Sequence, residues 1–143
     1  MNRKTTILIA TCAVLTTISG LQIARAQGAS LAAGAYTEEQ SKRGMALYKT
    51  QCASCHGDDL KGNEIIPALT GDTFVGNWKG KTVGDLFEKI NMTMPALDPG
   101  SLTPEQTSDL IAHILSVSKY PVGKTALATS MDALNQIKID APK

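Results

Sequence analysis

Apolar residues recur along this chain at helical spacing, and no segment alternates apolar and polar positions with period two. The first helix opens at Thr37, which pairs with Gln40 as a capping box. Glu38 and Glu39 complement the positive first turn, and Met45, Tyr48 and Cys52 follow one turn apart. A second, shorter helix is capped by Thr82 with Asp85 as its partner and buries Val83, Leu86, Phe87 and Ile90. The third carries three start signals together: Thr103 at the cap, Pro104 at the first position and Gln106 at the third. Its core stripe is Leu110, Ile111, Ile114 and Leu115, and it stops before Pro121. Ser130 to Ile137 adds a turn or two, with Met131 and Leu134 inward. The fold class is all-α, with three to four helices joined by loops. Gly44 stands inside the first helix, where glycine costs ~1 kcal/mol, so a close helix crossing is expected there.

Between the helices the chain is rich in turn residues. After His56 come Gly57, Asp58, Asp59, Gly62 and Asn63, and then Ile65-Ile66-Pro67-Ala68-Leu69, too apolar a run to sit free in solvent. Gly71 to Gly80 reads as a second loop holding Phe74 and Trp78, and Asn91 to Gly100 as an irregular third. At the N-terminus, Arg3 and Lys4 precede an apolar run, Ile7 to Ile18, and Ala24-Arg25-Ala26 has the small residues of a cleavage site. Residues 1–26 therefore read as a secretory signal peptide cleaved after Ala26, with the rest exported to the periplasm. Retention of the run as an anchor, or lipidation at Cys12, are the rival readings. Residues 27–36 are small and polar, a flexible lead; 37–123 form the domain, and 124–143 a C-terminal tail packing on it.

Charge excludes one class of partner. The leader holds three of the 14 Lys/Arg and no acid, so the rest carries 11 bases against 13 acids, a formal −2. That is not the basic balance of a nucleic-acid binder. Aromatics are few, with one Trp, two Phe and three Tyr, so a bulky apolar cofactor would do much to fill the core.

Cys52-Ala53-Ser54-Cys55-His56 supplies the chemistry. Cys-x-x-Cys-His is the signature of covalent haem attachment. Thiols at i and i+3 of a helical turn share a face and reach two neighbouring vinyl groups, and the histidine follows directly as an iron ligand. A disulfide, a zinc site and a thioredoxin-like redox pair are the competing readings. Zinc would want four ligands, whereas the exported part offers two cysteines, His56 and the distant His113. The redox pair would open the helix of a βαβ unit, and no strand pattern precedes it. For a second iron ligand the candidates are Met94, Met92, His113, Met45 and Met131. Met94 is preferred because it sits in a loop and is followed by Pro95, which holds the backbone. Met92 comes next. His113, four residues after Asp109, reads as a solvated surface histidine.

With these residues the chain resembles the monohaem cytochromes c of the Met/His type, and most of all the small cytochromes associated with quinoprotein (PQQ-dependent) alcohol dehydrogenases. The likeness runs from Tyr48-Lys49-Thr50-Gln51 through the haem motif to Pro67-Ala68-Leu69-Thr70-Gly71. It continues in Phe74, Asn77-Trp78-Lys79-Gly80-Lys81-Thr82, Met94-Pro95, Pro99-Gly100-Ser101-Leu102 and Tyr120-Pro121-Val122-Gly123-Lys124. It implies a cytochrome c-like fold around one covalently bound haem c, with thioethers from Cys52 and Cys55 and axial ligands His56 and Met94. It also implies that the Pro67 carbonyl accepts the His56 Nδ1 proton, and that Trp78 lies near a haem propionate. The function expected is electron transfer, without an enzyme activity of its own, between a periplasmic donor, such as a quinoprotein dehydrogenase, and an acceptor such as a terminal oxidase. Neither nucleic acid nor stable membrane insertion is expected. A haem enzyme or gas sensor with a displaceable sixth ligand is the alternative, as is a cytochrome subunit bound within a larger dehydrogenase.

Overall fold

Three capping boxes set the three main helices, and each is formed as the side chains dictate. A computed structural model describes residues 30–142; the signal-like segment, its cleavage site and Cys12 lie outside them. Helix α1 spans Glu38–Gln51 behind the Thr37–Gln40 box, and a separate turn, α2, covers Ala53–His56. Then come α3 (Gly71–Trp78), α4 (Val83–Thr93, boxed by Thr82 and Asp85) and α5 (Pro104–Val117, boxed by Thr103 and Gln106). A last turn, α6, covers Met131–Leu134. Among the described residues there is no strand, only isolated bridges from Lys138 to Ser30 and to Thr82. The all-α expectation holds, with four helices of eight residues or more and two single turns.

The most extensive helix contact is the crossing of α1 over α5. Gly44 sits at its centre: a Cβ there would collide with the Asp109 carbonyl oxygen. Only glycine permits that approach, as the helix-interior position implied. Arg43 clamps the same point with two bonds to Asp109, from Nε at 2.7 Å and from Nη2 at 2.6 Å. Beneath the crossing lie Tyr48, Phe74, Leu86, Leu110, Ile111 and Leu115, all buried.

Several expectations need correction. Gly71 to Gly80 is mostly helix, not loop. Phe74 and Trp78 are four residues apart, and α3 brings their rings to 6.4 Å between centroids. The glycines around them masked that period. Helix α4 runs on to Thr93, so the irregular loop begins at Met94 rather than Asn91. Met131 is exposed, and Leu134 alone of the expected pair is fully buried. His113 is not a solvated histidine: it is only 8% exposed, its ring tilted against Tyr48 at 5.3 Å. Its place four residues after Asp109 was right, but the side of α5 that meets α1 is that side.

The lead expected to be flexible is docked over residues 30–36. Leu31 and Tyr36 are buried, a 3-10 turn covers Leu31–Ala33, and the Tyr36 hydroxyl donates to the Tyr120 carbonyl at 2.8 Å. The tail is clasped along its length. Gln40 exchanges two bonds with the Leu127 backbone, at 3.0 and 2.6 Å. Farther on, Val83 N–H donates to Ile137 O, Ile139 N–H to Lys81 O and Gly80 N–H to Ile139 O, each at 2.9 Å. Leu127, Leu134, Ile137 and Ile139 carry this wrap into the core.

Candidate functional site

Helix α1 ends at Cys52, whose backbone leaves helical geometry, and one new turn then carries Ala53 to His56. This break turns Cys52, Cys55 and His56 toward a largely apolar cavity of about 300 Å³. Its opposite side comes from Leu86 and Ile90 of α4, from Met94 and Pro95 beyond it, and from Leu110 and Ile114 of α5. Trp78 closes one edge from α3, and Ile66 to Leu69 close another. Cys52 is half-buried and Cys55 exposed. Burial, with the neighbouring Cys55 thiol adding to it, pushes the Cys52 thiol up to about 11.

The orientation of His56 is fixed by the loop that follows. Gly62, with φ of 61°, donates to the His56 carbonyl at 2.8 Å, and Leu69 N–H bonds Leu60 O at 2.8 Å. The Asn63 side chain accepts from Ile65 and Ile66, each at 2.9 Å. So folded, the loop sets the Pro67 carbonyl 3.0 Å from His56 Nδ1. A carbonyl can only accept, so Nδ1 carries the proton. A neutral ring in that tautomer has its free lone pair on Nε2.

Of the methionines considered, Met94 alone lines the cavity. It forms the C-cap of α4 in extended conformation, with its N–H bonded to Ile90 O at 2.9 Å. Met92 is 65% exposed, and Met45 and Met131 also face outward. His113 does not line the cavity; it packs behind Tyr48, which does. Burial, helped by Lys49, holds its imidazole below the ordinary histidine range. Trp78 lies at the cavity with the Lys81 ammonium 4.8 Å from its ring centroid. Ile65, by contrast, does not pack inward with its neighbours: it is 88% exposed. Among the described residues no cluster of three or more His, Cys, Asp or Glu could hold a metal ion, which leaves the zinc reading without support.

Sequence reasoning missed two features. Lys81 and Lys89 both border the cavity, though nothing in their spacing marked them out from other surface lysines. The Tyr48 hydroxyl donates to the Gly57 carbonyl at 2.6 Å, which the apolar reading of Tyr48 as a stripe residue did not foresee. The donor set suits a covalently held haem. Two thiols on one turn, an imidazole with Nε2 free and a thioether all line one mostly hydrocarbon cavity.

Comparison with known proteins agrees. Residues 39–114 match the model of the family described as cytochrome c oxidase, cbb3-type, subunit III. The fructose dehydrogenase cytochrome subunit of Gluconobacter japonicus is 31% identical over 105 residues, covering 66% of this chain and 22% of that protein. The alcohol dehydrogenase (quinone) dehydrogenase subunit of Gluconobacter oxydans (strain 621H) is 32% identical over 82 residues, covering 52% of this chain and 10% of that one. The chain thus spans a small part of each relative. The crystal structure of the sulfane dehydrogenase SoxCD from Paracoccus pantotrophus overlays with a TM-score of 0.52 at 23% identity, covering 69% of this chain and 52% of that one, and supports the fold.

Proposed function

This chain belongs to the family described as cytochrome c oxidase, cbb3-type, subunit III, a family of c-type cytochrome domains carrying covalent haem c, and on that premise we propose that it is an exported one-electron carrier. Its donor is a periplasmic dehydrogenase, a quinoprotein in the reading we favour, and its acceptor is a downstream protein such as a terminal oxidase. The observation that carries this is the His56–Pro67 bond, which leaves Nε2 as the ligand atom on a cavity that also holds both thiols and Met94.

Bound haem supplies a one-electron iron couple. Everything else is the work of the chain. Cys52 and Cys55 would hold the ring by thioethers and so keep it from leaving. His56 would ligate the iron through Nε2; its bond to Pro67 sets the ring tautomer and would raise its basicity as a ligand. Met94, held at the end of α4 by its own backbone bond to Ile90, would supply a thioether as the other iron ligand. Trp78 and Lys81, which both line the cavity, would meet the carboxylates of a haem, while Leu86, Ile90, Leu110 and Ile114 would keep water from its iron. A dry, pre-arranged site changes little on electron transfer, which is what a carrier needs.

A second reading is a cytochrome subunit bound within a larger dehydrogenase. The two Gluconobacter relatives, both dehydrogenase subunits, favour it. Export separates neither. The test is kinetic: haem-loaded protein is mixed with a quinoprotein alcohol dehydrogenase and its alcohol, and reduction is followed by absorbance. Reduction within the turnover time of the dehydrogenase supports the carrier. Failure of reduction while the small-molecule reductant ascorbate works would point to a different donor.

A further inference from the structure

We propose that Tyr48 is a positioning residue for the iron ligand His56, acting through the Gly57 carbonyl. The inference rests on the haem reading above and goes beyond it by assigning a part to a side chain to which the resemblance gave none.

Tyr48 is fully buried in α1, yet its hydroxyl leaves that helix to donate to Gly57 O at 2.6 Å. Gly57 directly follows His56 and caps α2 at a φ of 77°. Its carbonyl also accepts Leu60 N–H at 3.2 Å, and its own N–H bonds Ala53 O at 2.9 Å. Both sides of the residue after the ligand are therefore fastened. Gly62 fastens the His56 carbonyl from the far side of the loop. The His56–Gly57 peptide is held from the loop by the Gly62 amide, and the next peptide, Gly57–Asp58, is held from α1 by the Tyr48 hydroxyl. The Pro67 bond then fixes the ring about its own axis.

The hydroxyl is itself held. His113 packs its ring against Tyr48 at the α1–α5 crossing, where Gly44 lets the two helices touch. Motion of α5 over α1 would thus reach the His56 turn by a short path of packed groups. A phenol used only as core would be replaced by phenylalanine without consequence for the ligand. A phenol that holds the Gly57 peptide would not. Without it the His56 turn gains freedom, the bond from Nδ1 to Pro67 O loosens, and the imidazole becomes a weaker donor to ferric iron.

The test compares two matched hydroxyl deletions in haem-loaded protein. Tyr36 also donates a buried bond to a backbone carbonyl, Tyr120 O at 2.8 Å, but Tyr36 does not line the cavity. In Tyr48→Phe, exchange of the His56 Nδ1 proton with solvent, read by NMR, is expected to quicken about fivefold, the effect of losing one neutral hydrogen bond. The midpoint potential is expected to rise. Tyr36→Phe should lower stability by a similar amount and move neither reading. His113→Asn, which keeps the hydroxyl but removes the ring behind it, should shift both readings the same way by less, and it decides the matter should Tyr48→Phe fold poorly. Red, folded variants in which Tyr48→Phe and His113→Asn leave both readings at the wild-type values would overturn the proposal and leave the haem reading intact. Colourless wild-type protein would overturn both.

Discussion

Met94 and Met92 are two residues apart, and the end of α4 separates their fates. Met94 takes the extended C-cap and lines the cavity; Met92, still on the helix, points out. Met94→Ala should therefore abolish the weak near-infrared sulfur–iron band of the oxidised protein, while Met92→Ala should keep it. Met94→His should keep a low-spin spectrum and lower the midpoint potential, because imidazole favours ferric iron more than a thioether does. His113 makes a different kind of residue-scale prediction. Burial and the neighbouring Lys49 lower its folded-state value below the 6.5 expected of an exposed histidine. The unfolded chain therefore takes up the proton first, so stability is full above that value and falls as pH drops through it toward the folded value. Denaturant titrations between about pH 7.5 and about pH 5, a range that spans the exposed-histidine value, should show the loss, and His113→Asn should flatten it. The haem motif was legible because its spacing carries the chemistry, and Met94 at the cavity because a loop position before Pro95 marked it out. It misjudged His113 because a histidine three residues from Leu110 borders the apolar stripe, and only the depth of the Gly44 contact decides which side it joins.

At the scale of elements, legibility followed the capping chemistry. Thr37, Thr82 and Thr103 each form the reciprocal bonds expected of them, and all three helices start where those residues stand. Helix α3 was hidden because Gly71, Gly76 and Gly80 outweighed the Phe74–Trp78 period, and packing of Phe74 into the core overrode the weak propensity. The α1–α5 crossing was legible from one glycine. Gly44→Ala should cost about 1–3 kcal/mol or more, since a Cβ meets backbone that cannot step aside; chemical denaturation of the haem-loaded protein measures it. The clasp of the tail on residues 80–83 had no local signal, because its bonds are backbone to backbone. Leu134→Ala, at the fully buried last position of α6, should cost about 2–5 kcal/mol. Because Leu134 does not line the cavity, the change should leave the midpoint potential where it was.

The molecule as a whole presents mixed charge and an apolar rim. Three ion pairs among the described residues, Lys42–Glu38, Arg43–Asp109 and Lys61–Asp59, neutralise basic groups within the chain. Beside the two loops that close the cavity, Ile65 is 88% and Leu97 98% exposed. No helix among the described residues is long and apolar enough to cross a membrane. A surface of this kind meets a partner through apolar contact more than through long-range steering. Reduction by a quinoprotein dehydrogenase should accordingly change only a few-fold between low and moderate ionic strength in stopped-flow, where exposed charges are screened beyond ~8–10 Å. A fall of orders of magnitude would mean that Lys81 and Lys89 at the cavity border dominate the encounter. All of this rests on one covalent fact, and intact mass tests it most directly. Protein made in a host with c-type maturation should be heavier than its polypeptide by one haem, stay red through denaturing electrophoresis, and lose both properties in the double variant Cys52→Ala, Cys55→Ala. A colourless chain at the bare polypeptide mass, with Cys52 and Cys55 joined as a disulfide, would contradict the account.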